Sequence, residues 1–269
     1  MQIKMEPISL VLVIYNEEQL LDRCLRSAAG LVNEIVIIHD GKCTDGSKKI
    51  AKKYHAKFIE KPRKCEAEIH RVFSYRETKN NWIMQLDADE YLSEGLKKAI
   101  PKLMKKGDIV SALWERHFHN NKSYYYDRWF LFKKNKICFT ACAHEAIKKL
   151  NPNVKLVKTN EVIFHRPKID YLANFQKLKN KKHFLWSKAH AKALKEWKNL
   201  ERYNCCYNKH EVSTNALIAK NRWLIIFLVI PRIIVLSWIQ FFKTGEMIHL
   251  FKEPFNEVKY YLLVFKEMK

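Results

Sequence analysis

Two carboxylates one residue apart, Asp87 and Asp89, follow the apolar run Trp82-Ile83-Met84-Gln85-Leu86. A run of that character reads as a buried strand. In an extended strand residues i and i+2 share a face, so the spacing predicts that both carboxylates reach one site. Hard oxygen donors suit Mg2+ or Mn2+, above all where substrate phosphates complete the coordination shell. A solvated turn after a strand would show the same two residues, so the pair gains meaning only from its company.

That company is upstream. Ile8 to Ile14 is an apolar, β-branched run ending in Tyr15-Asn16-Glu17-Glu18, and Glu34 to Ile38 ends in His39-Asp40-Gly41. Between them Leu20, Leu21, Cys24, Leu25 and Ala28 recur at helical spacing. Cys43-Thr44-Asp45-Gly46-Ser47 forms a turn that caps a helix carrying Ile50, Ala51 and Tyr54. A short strand at Lys57 to Glu60 and a helix over roughly Glu66 to Thr78 lead to the strand at Trp82. Strands alternating with helices predict an α/β fold with a mostly parallel sheet and helices on both faces. In such sheets ligands sit at the carboxyl ends of strands, where Tyr15-Asn16-Glu17, Asp40 and Asp87-Ala88-Asp89 fall. The chain has no G-x-G-x-x-G and no Walker A loop, which argues against dinucleotide and P-loop chemistry.

The 269 residues suffice for one large core plus an appendage, and 48% are hydrophobic. Lys plus Arg number 50 against 28 Asp plus Glu, a formal net charge of +22 that points to an anionic partner. A nucleic-acid-binding protein fits that charge, yet no reading motif is present and the lysines are spread along the chain. A nucleotidyltransferase would also use paired aspartates with Mg2+, but a Gly-rich basic loop would replace Tyr15-Asn16-Glu17-Glu18 after the first strand. Seven cysteines without C-x-x-C spacing suggest reduced thiols. With no signal h-region at the start, the catalytic part is expected to remain cytoplasmic.

Taken together, Val13-Ile14-Tyr15-Asn16-Glu17-Glu18, Ile37 through Ser47, Arg71, Trp82 through Glu90, Arg128-Trp129-Phe130-Leu131-Phe132, Ala143-His144-Glu145 and Ile163-Phe164-His165 resemble the family-2 glycosyltransferases. The likeness is to small bacterial enzymes of the lipopolysaccharide-core and capsule type, over roughly residues 8 to 170. It implies the GT-A fold of nucleotide-diphospho-sugar transferases, and a metal-dependent, inverting transfer from a nucleotide-diphosphate sugar, UDP favoured, to a glycan or lipid-linked acceptor. It also implies site roles. Tyr15, Asn16, Glu17, Asp40, Arg71 and Asp87 would hold the nucleotide; Asp89, Asp87 and His165 would hold Mn2+ or Mg2+; Glu145 would be the general base; Arg128 and His144 would face acceptor or phosphate. Val72 stands where relatives carry Asn after the arginine, and Lys42 and Cys43 replace small polar residues. His165 also reads as a residue closing a strand, Arg128 as an edge-strand charge, and His117-Phe118-His119 as acceptor-side surface.

The expected organisation is a catalytic domain over 1–169, its nucleotide-sugar half about 1–92 and its acceptor half about 93–169, then a basic helical segment over 170–222 and apolar helices over 223–269. Trp223 to Phe242 approaches the length of a membrane span, but Pro231 and Arg232 sit at its centre. Arg at a bilayer midplane costs about 2.5 to 3.5 kcal/mol. Two short interfacial helices flanked by Lys220, Arg222 and Lys243 fit better, peripheral at the inner face of an anionic cell membrane. A buried core helix or a homo-oligomer interface is the other reading of the same segment.

Overall fold

The computed structural model describes residues 5–117, 123–142, 146–167, 187–195, 202–204, 218, 221–244 and 252–268. The chain divides into two compact units: Met1–Ala141 with Ala146–Phe175 and Glu201–Cys205, and Cys142–Glu145 with Gln176–Leu200 and Cys206–Lys269.

The first unit is built on strands β1 (Ile8–Ile14), β2 (Glu34–Asp40), β3 (Lys57–Lys61), β4 (Trp82–Gln85), β5 (Glu90–Leu92), β6 (Ile109–His117), β7 (Ser123–Lys133) and β10 (Leu156–His165). They form one sheet in the order β3-β2-β1-β4-β7-β6-β10-β5. Only β7 and β5 run against the rest, so the expected mostly parallel sheet is what forms. Short strands β8 (Ile137–Thr140), β9 (Lys148–Lys149) and β11 (Arg202–Tyr203) make a second, smaller sheet.

The apolar run of β1 is continuous because both of its faces are covered. Ile8, Leu10, Leu12 and Ile14 pack with Leu21, Cys24 and Leu25 of helix α1 (Glu18–Ala28), Ala51 of α2 (Ser47–Lys53) and Leu96 and Ile100 of α4 (Glu94–Lys106). Val11 joins Val36, Ile38 and Ile83 in a second core with Val72 and Tyr75 of α3 (Ala67–Arg76). Alternate strand residues therefore feed two cores, with helices on both faces.

The chain order places β2 and β3 on one side of β1 and β4 on the other. Crossovers that leave a strand in opposite directions open a crevice at its carboxyl end, where α/β folds bind ligands. The loops after β1 and β4 flank that crevice.

Of the cysteines, Cys24, Cys43 and Cys65 carry free thiols, whereas Cys138 is disulfide-bonded, so reduced thiols do not hold throughout. Glu66, ahead of α3, is 6% exposed, and among the described residues its Oε2 meets no hydrogen-bond partner. Burial, with the Glu68 charge beside it, pushes its carboxyl up to about 8. The folded chain thus keeps a proton that the unfolded chain releases. Stability from this group is full below the ordinary carboxyl range and is lost as pH rises toward 8, at roughly 1.4 kcal/mol per pKa unit. Glu66→Gln removes the titration, so its melting temperature gains on the wild type between about pH 5 and about pH 9. A wild-type-to-variant difference that stays constant over that range would contradict this account.

In the second unit a helix over 187–195 and helices over 224–244 and Lys252–Glu267 enclose a core of Ala191, Leu194, Ile225, Val229, Ile233, Tyr260 and Val264. The expected pair of short helices is one continuous helical run, with a π-helical turn at Ile225–Val229 leading into Ile230–Thr244. Pro231, whose missing N–H would interrupt a regular α-helix, follows directly on that π-helical turn. No helix among the described residues is long and apolar enough to cross a membrane. Phe227, Leu228, Ile234, Val235, Leu236, Trp238 and Ile239 are exposed.

Candidate active site

Register explains how the site assembles. In the β4/β7 pairing Trp82 lies opposite Lys133 and Met84 opposite Leu131, so the same antiparallel register carried past Gln85 brings Arg128 beside Asp87. Across β10 and β5, His165 pairs with Glu90. In the β6/β7 pairing a shift between Val110 and Ser111 breaks the register near Phe130, the kind of bulge that re-aims side chains next to functional sites.

The aspartates meet the site for a different reason than strand alternation. β4 ends at Gln85, and Asp87 to Glu90 is a tight turn closed by Glu90 N–H donating to the Asp87 carbonyl at 3.0 Å. Arg71 Nη2 donates to Asp87 Oδ1 at 3.0 Å and Arg128 Nη2 to Oδ2 at 3.1 Å. Asp89 turns instead to His165, with Oδ2 and Nε2 3.1 Å apart. Burial pushes the Asp87 carboxyl up, and the charges of Arg71 and Arg128 outweigh it, holding the group down at about 2. Asp87 is ionised at any working pH.

Sequence reasoning missed Glu90, whose side chain is fully buried. Its Oε1 accepts from Trp114 Nε1 at 2.6 Å and from Arg128 Nη1, and its Oε2 accepts from the Asp87 N–H at 2.9 Å. Burial raises this carboxyl against the pull of Arg128, with Asp87 and Asp89 adding, to about 7. Trp114 was missed as well; its ring lies 4.6 Å from that of His165. The only signal was a carboxylate opening the short run Glu90-Tyr91-Leu92, which an unpaired strand would not bury.

At the other end of the crevice the loop after β1 is laced to the loop after β2. Asn16, at φ +52, gives its backbone N–H to His39 Nε2 at 3.1 Å, and its side-chain amide exchanges two bonds with Thr44. The Glu17 N–H donates to Ser47 Oγ at 2.9 Å and that of Glu18 to Asp45 at 3.0 Å. Asp40 accepts from Arg63 Nη1, the Lys64 and Cys65 N–H groups and His70 Nε2, at 2.6 to 2.9 Å. Its carboxylate is saturated by protein. Burial raises it, and the His70 and Lys64 hydrogen bonds with the Arg63 charge more than reverse that, leaving it lowered. Arg63, so anchored, lies 3.3 Å over the Tyr15 ring, which is 45% exposed. Gly41, at φ +110, passes beneath; a Cβ there would come 3.2 Å from Arg63 Cδ. Tyr15 is thus the nucleotide candidate that offers an open aromatic surface, while Asn16 and Asp40 shape the loops behind it.

Arg71, Asp87, Arg128, Asp89 and His165 are brought together; His144, Glu145 and His119 lie outside the described residues. Among the described residues no group of three or more His, Cys, Asp or Glu side chains is arranged to hold a metal. Asp89 and His165 still form a donor pair, one hard oxygen and one imidazole nitrogen. Two protein donors suffice for a Mg2+-type ion that takes its other ligands from water and substrate phosphates. The pair fits Mn2+ or Mg2+; Asp87, beside it, already accepts one guanidinium N–H at each oxygen.

A family model described as glycosyl transferase family 2 matches residues 9–184, more than half of the chain. The chain belongs to glycosyl transferase family 2. An uncharacterized glycosyltransferase of Rickettsia typhi is 33% identical over 102 residues, 36% of this chain and 32% of that protein. The lipopolysaccharide core biosynthesis glycosyltransferase LpsC of Rhizobium meliloti is 29% identical over 109 residues, 39% of each. The match thus spans about a third of the length of these relatives, 32% and 39%. Among solved structures, residues 1–349 of S. aureus TarS in complex with UDP align with a TM-score of 0.43 at 11% identity, covering 97% of this family-2 chain and 90% of that one. Glucosyl-3-phosphoglycerate synthase of Mycobacterium tuberculosis with Mg2+ and UDP aligns at 0.40 and 13%, covering 68% and 77%.

Proposed function

We propose that this family-2 member transfers a sugar, with inversion, from a nucleoside-diphosphate sugar, UDP favoured, to an acceptor hydroxyl of a glycan or lipid-linked glycan. The observation that carries the reading is the cluster of Arg71, Asp87, Arg128, Asp89 and His165 beside the crevice between β1 and β4. Transfer leaves a diphosphate whose charge must be met where it develops. Arg71 and Arg128 supply fixed cations there, oriented by Asp87. Asp89 and His165 would hold Mn2+ or Mg2+, which when bound supplies Lewis-acid stabilisation of the departing diphosphate. Tyr15, with Arg63 across it, offers a stacking surface to a base. Glu145 is assigned the acceptor proton, and His144 remains its neighbour in that assignment. The name of the relative LpsC supports a cell-surface glycan as acceptor.

A thermal-shift comparison tests this. UDP with Mn2+ should raise the melting temperature well beyond either alone, since ligand at a hundred times its Kd contributes about 2.7 kcal/mol. No shift with any nucleoside diphosphate, metal present, would sink the reading.

The exposed apolar residues of helix 224–244 support a second element, peripheral binding to the cytoplasmic face of the membrane. Residues 221–244 contain Arg222, Arg232 and Lys243 and no acidic residue. Trp223 and Trp238 are both half exposed, as side chains at headgroup depth are. The full chain should co-sediment with anionic liposomes and a chain ending near Asn221 should not. Equal behaviour of the two, or a concentration-dependent dimer lost with the truncation, would overturn the membrane reading.

A further inference from the structure

We propose that Glu90 is the positioning residue of this site, a single buried carboxylate that sets the turn presenting Asp89, the guanidinium of Arg128 and the indole against which His165 rests. The inference depends on the reading of Asp89 and His165 as metal donors.

The turn is clamped at both ends by the same residue. Glu90 N–H donates to the Asp87 carbonyl at 3.0 Å, and the Asp87 N–H donates back to Glu90 Oε2 at 2.9 Å. Ala88 and Asp89 lie inside that reciprocal bridge, so the direction in which Asp89 points is fixed by Glu90 through backbone and side chain together. The other oxygen gathers two further elements. Oε1 accepts from Trp114 Nε1 on β6 at 2.6 Å and from Arg128 Nη1 on β7, and Arg128 keeps its second nitrogen on Asp87 Oδ2 at 3.1 Å.

Trp114 carries the effect one step further, because its ring packs on that of His165 at 4.6 Å with 38° between the planes. Donors from the turn, from β6 and from β7 therefore converge on one carboxylate, and each belongs to or touches a named group of the site.

A core position with no such duty would be filled more cheaply. Taking a carboxylate out of water costs several kcal/mol, and apolar residues of similar volume replace buried ionic groups at little or no loss of stability. The partners of Glu90 are those of a residue that orients ligands from behind. Outer-shell partners of this kind change metal affinity by about 10- to 100-fold when removed.

The test uses the full chain, with Mn2+ titrated calorimetrically at saturating UDP and a thermal melt run on each variant. Glu90→Gln keeps the shape but cannot accept at both oxygens. It should melt cooperatively and bind Mn2+ about 10- to 100-fold more weakly. Trp114→Phe retains the ring against His165 and loses only the Nε1–H, and should show a smaller loss, up to about tenfold. If wild type binds no Mn2+ with UDP, the metal reading itself fails and the inference falls with it. If wild type binds and Glu90→Gln matches it within about twofold, the inference alone is overturned. Should Glu90→Gln fail to fold, Trp114→Phe decides: weakened Mn2+ binding supports the proposal and unchanged binding overturns it.

Discussion

Asp89→Ala should leave a folded chain whose metal-dependent transfer is lost. Asp89 sits on a turn, partly exposed, and among the described residues its side chain pairs with His165 at 3.1 Å. Removing a carboxylate there costs folding about 1 kcal/mol or less, because no buried charge is left behind. Turnover has more to lose. A divalent ion contributes several kcal/mol of charge stabilisation to a departing diphosphate, which corresponds to about a thousandfold in rate. The expected pattern is therefore a near-unchanged melting temperature without ligand and loss of the extra shift that Mn2+ adds to UDP. The shift with UDP alone persists, since Arg71 and Arg128 stay in place. Transfer assays with and without added Mn2+, run beside the melts, read both halves. A variant that loses stability but keeps metal-dependent turnover would return Asp89 to the role of a turn residue.

The layer order was legible because each early strand is an apolar run too continuous for a one-sided sheet, and each is followed by a residue pattern of helical period. β1, with Ile8 to Ile14 buried almost throughout, is the clearest case. The positions of Asp87, Arg71 and Arg128 in one cluster were less so. Asp87 meets Arg128 through a pairing between segments 41 residues apart, and β7 is irregular at Phe130, so no local pattern announces the contact. Strand alternation put both aspartates on one site by an argument that does not apply, since the strand stops two residues short of Asp87. The turn separates their partners instead. Asp40 has a duty that a polar residue at a strand end does not announce: four protein donors converge on its carboxylate. In the second unit Pro231 suggested a break, and a π-turn absorbs it.

Environment also divides the labour among the carboxylates of the β4 crevice. Asp87 and Glu90 lie three residues apart, yet one is held at about 2 and the other raised to about 7. Two guanidiniums reach Asp87, while Glu90 shares one of them and sits deeper. The depressed group stabilises the fold above the ordinary carboxyl range and loses that contribution as pH falls toward 2. The raised group does the reverse, its contribution fading as pH climbs from the ordinary range toward 7. Neither is placed to receive a proton from an acceptor. Asp87 is too weak a base and already paired, and Glu90 is enclosed by three donors.

That leaves the proton of the acceptor hydroxyl to another group, and Glu145→Gln should cost turnover about 10²- to 10⁴-fold. The described carboxylates of the first unit's site are committed: Asp87 to Arg71 and Arg128, Asp89 to His165, Glu90 to Arg128 and Trp114, Glu115 to Arg166, and Asp40 to Arg63 and His70. Displacement with inversion needs a base on the face of the sugar opposite the leaving group, and an ion-paired carboxylate is a poor one. Glu145, next to His144 where the family-2 likeness places a His-Glu pair, is the base proposed on that likeness, and its substitution tests the proposal. Glutamine keeps the size and the hydrogen-bonding reach and removes only the basicity. The variant should therefore show the wild-type thermal shift with UDP and Mn2+ while single-turnover transfer collapses. Transfer that survives the substitution would remove Glu145 as the base. Loss of the UDP and Mn2+ shift together with turnover would make it a donor-binding residue instead.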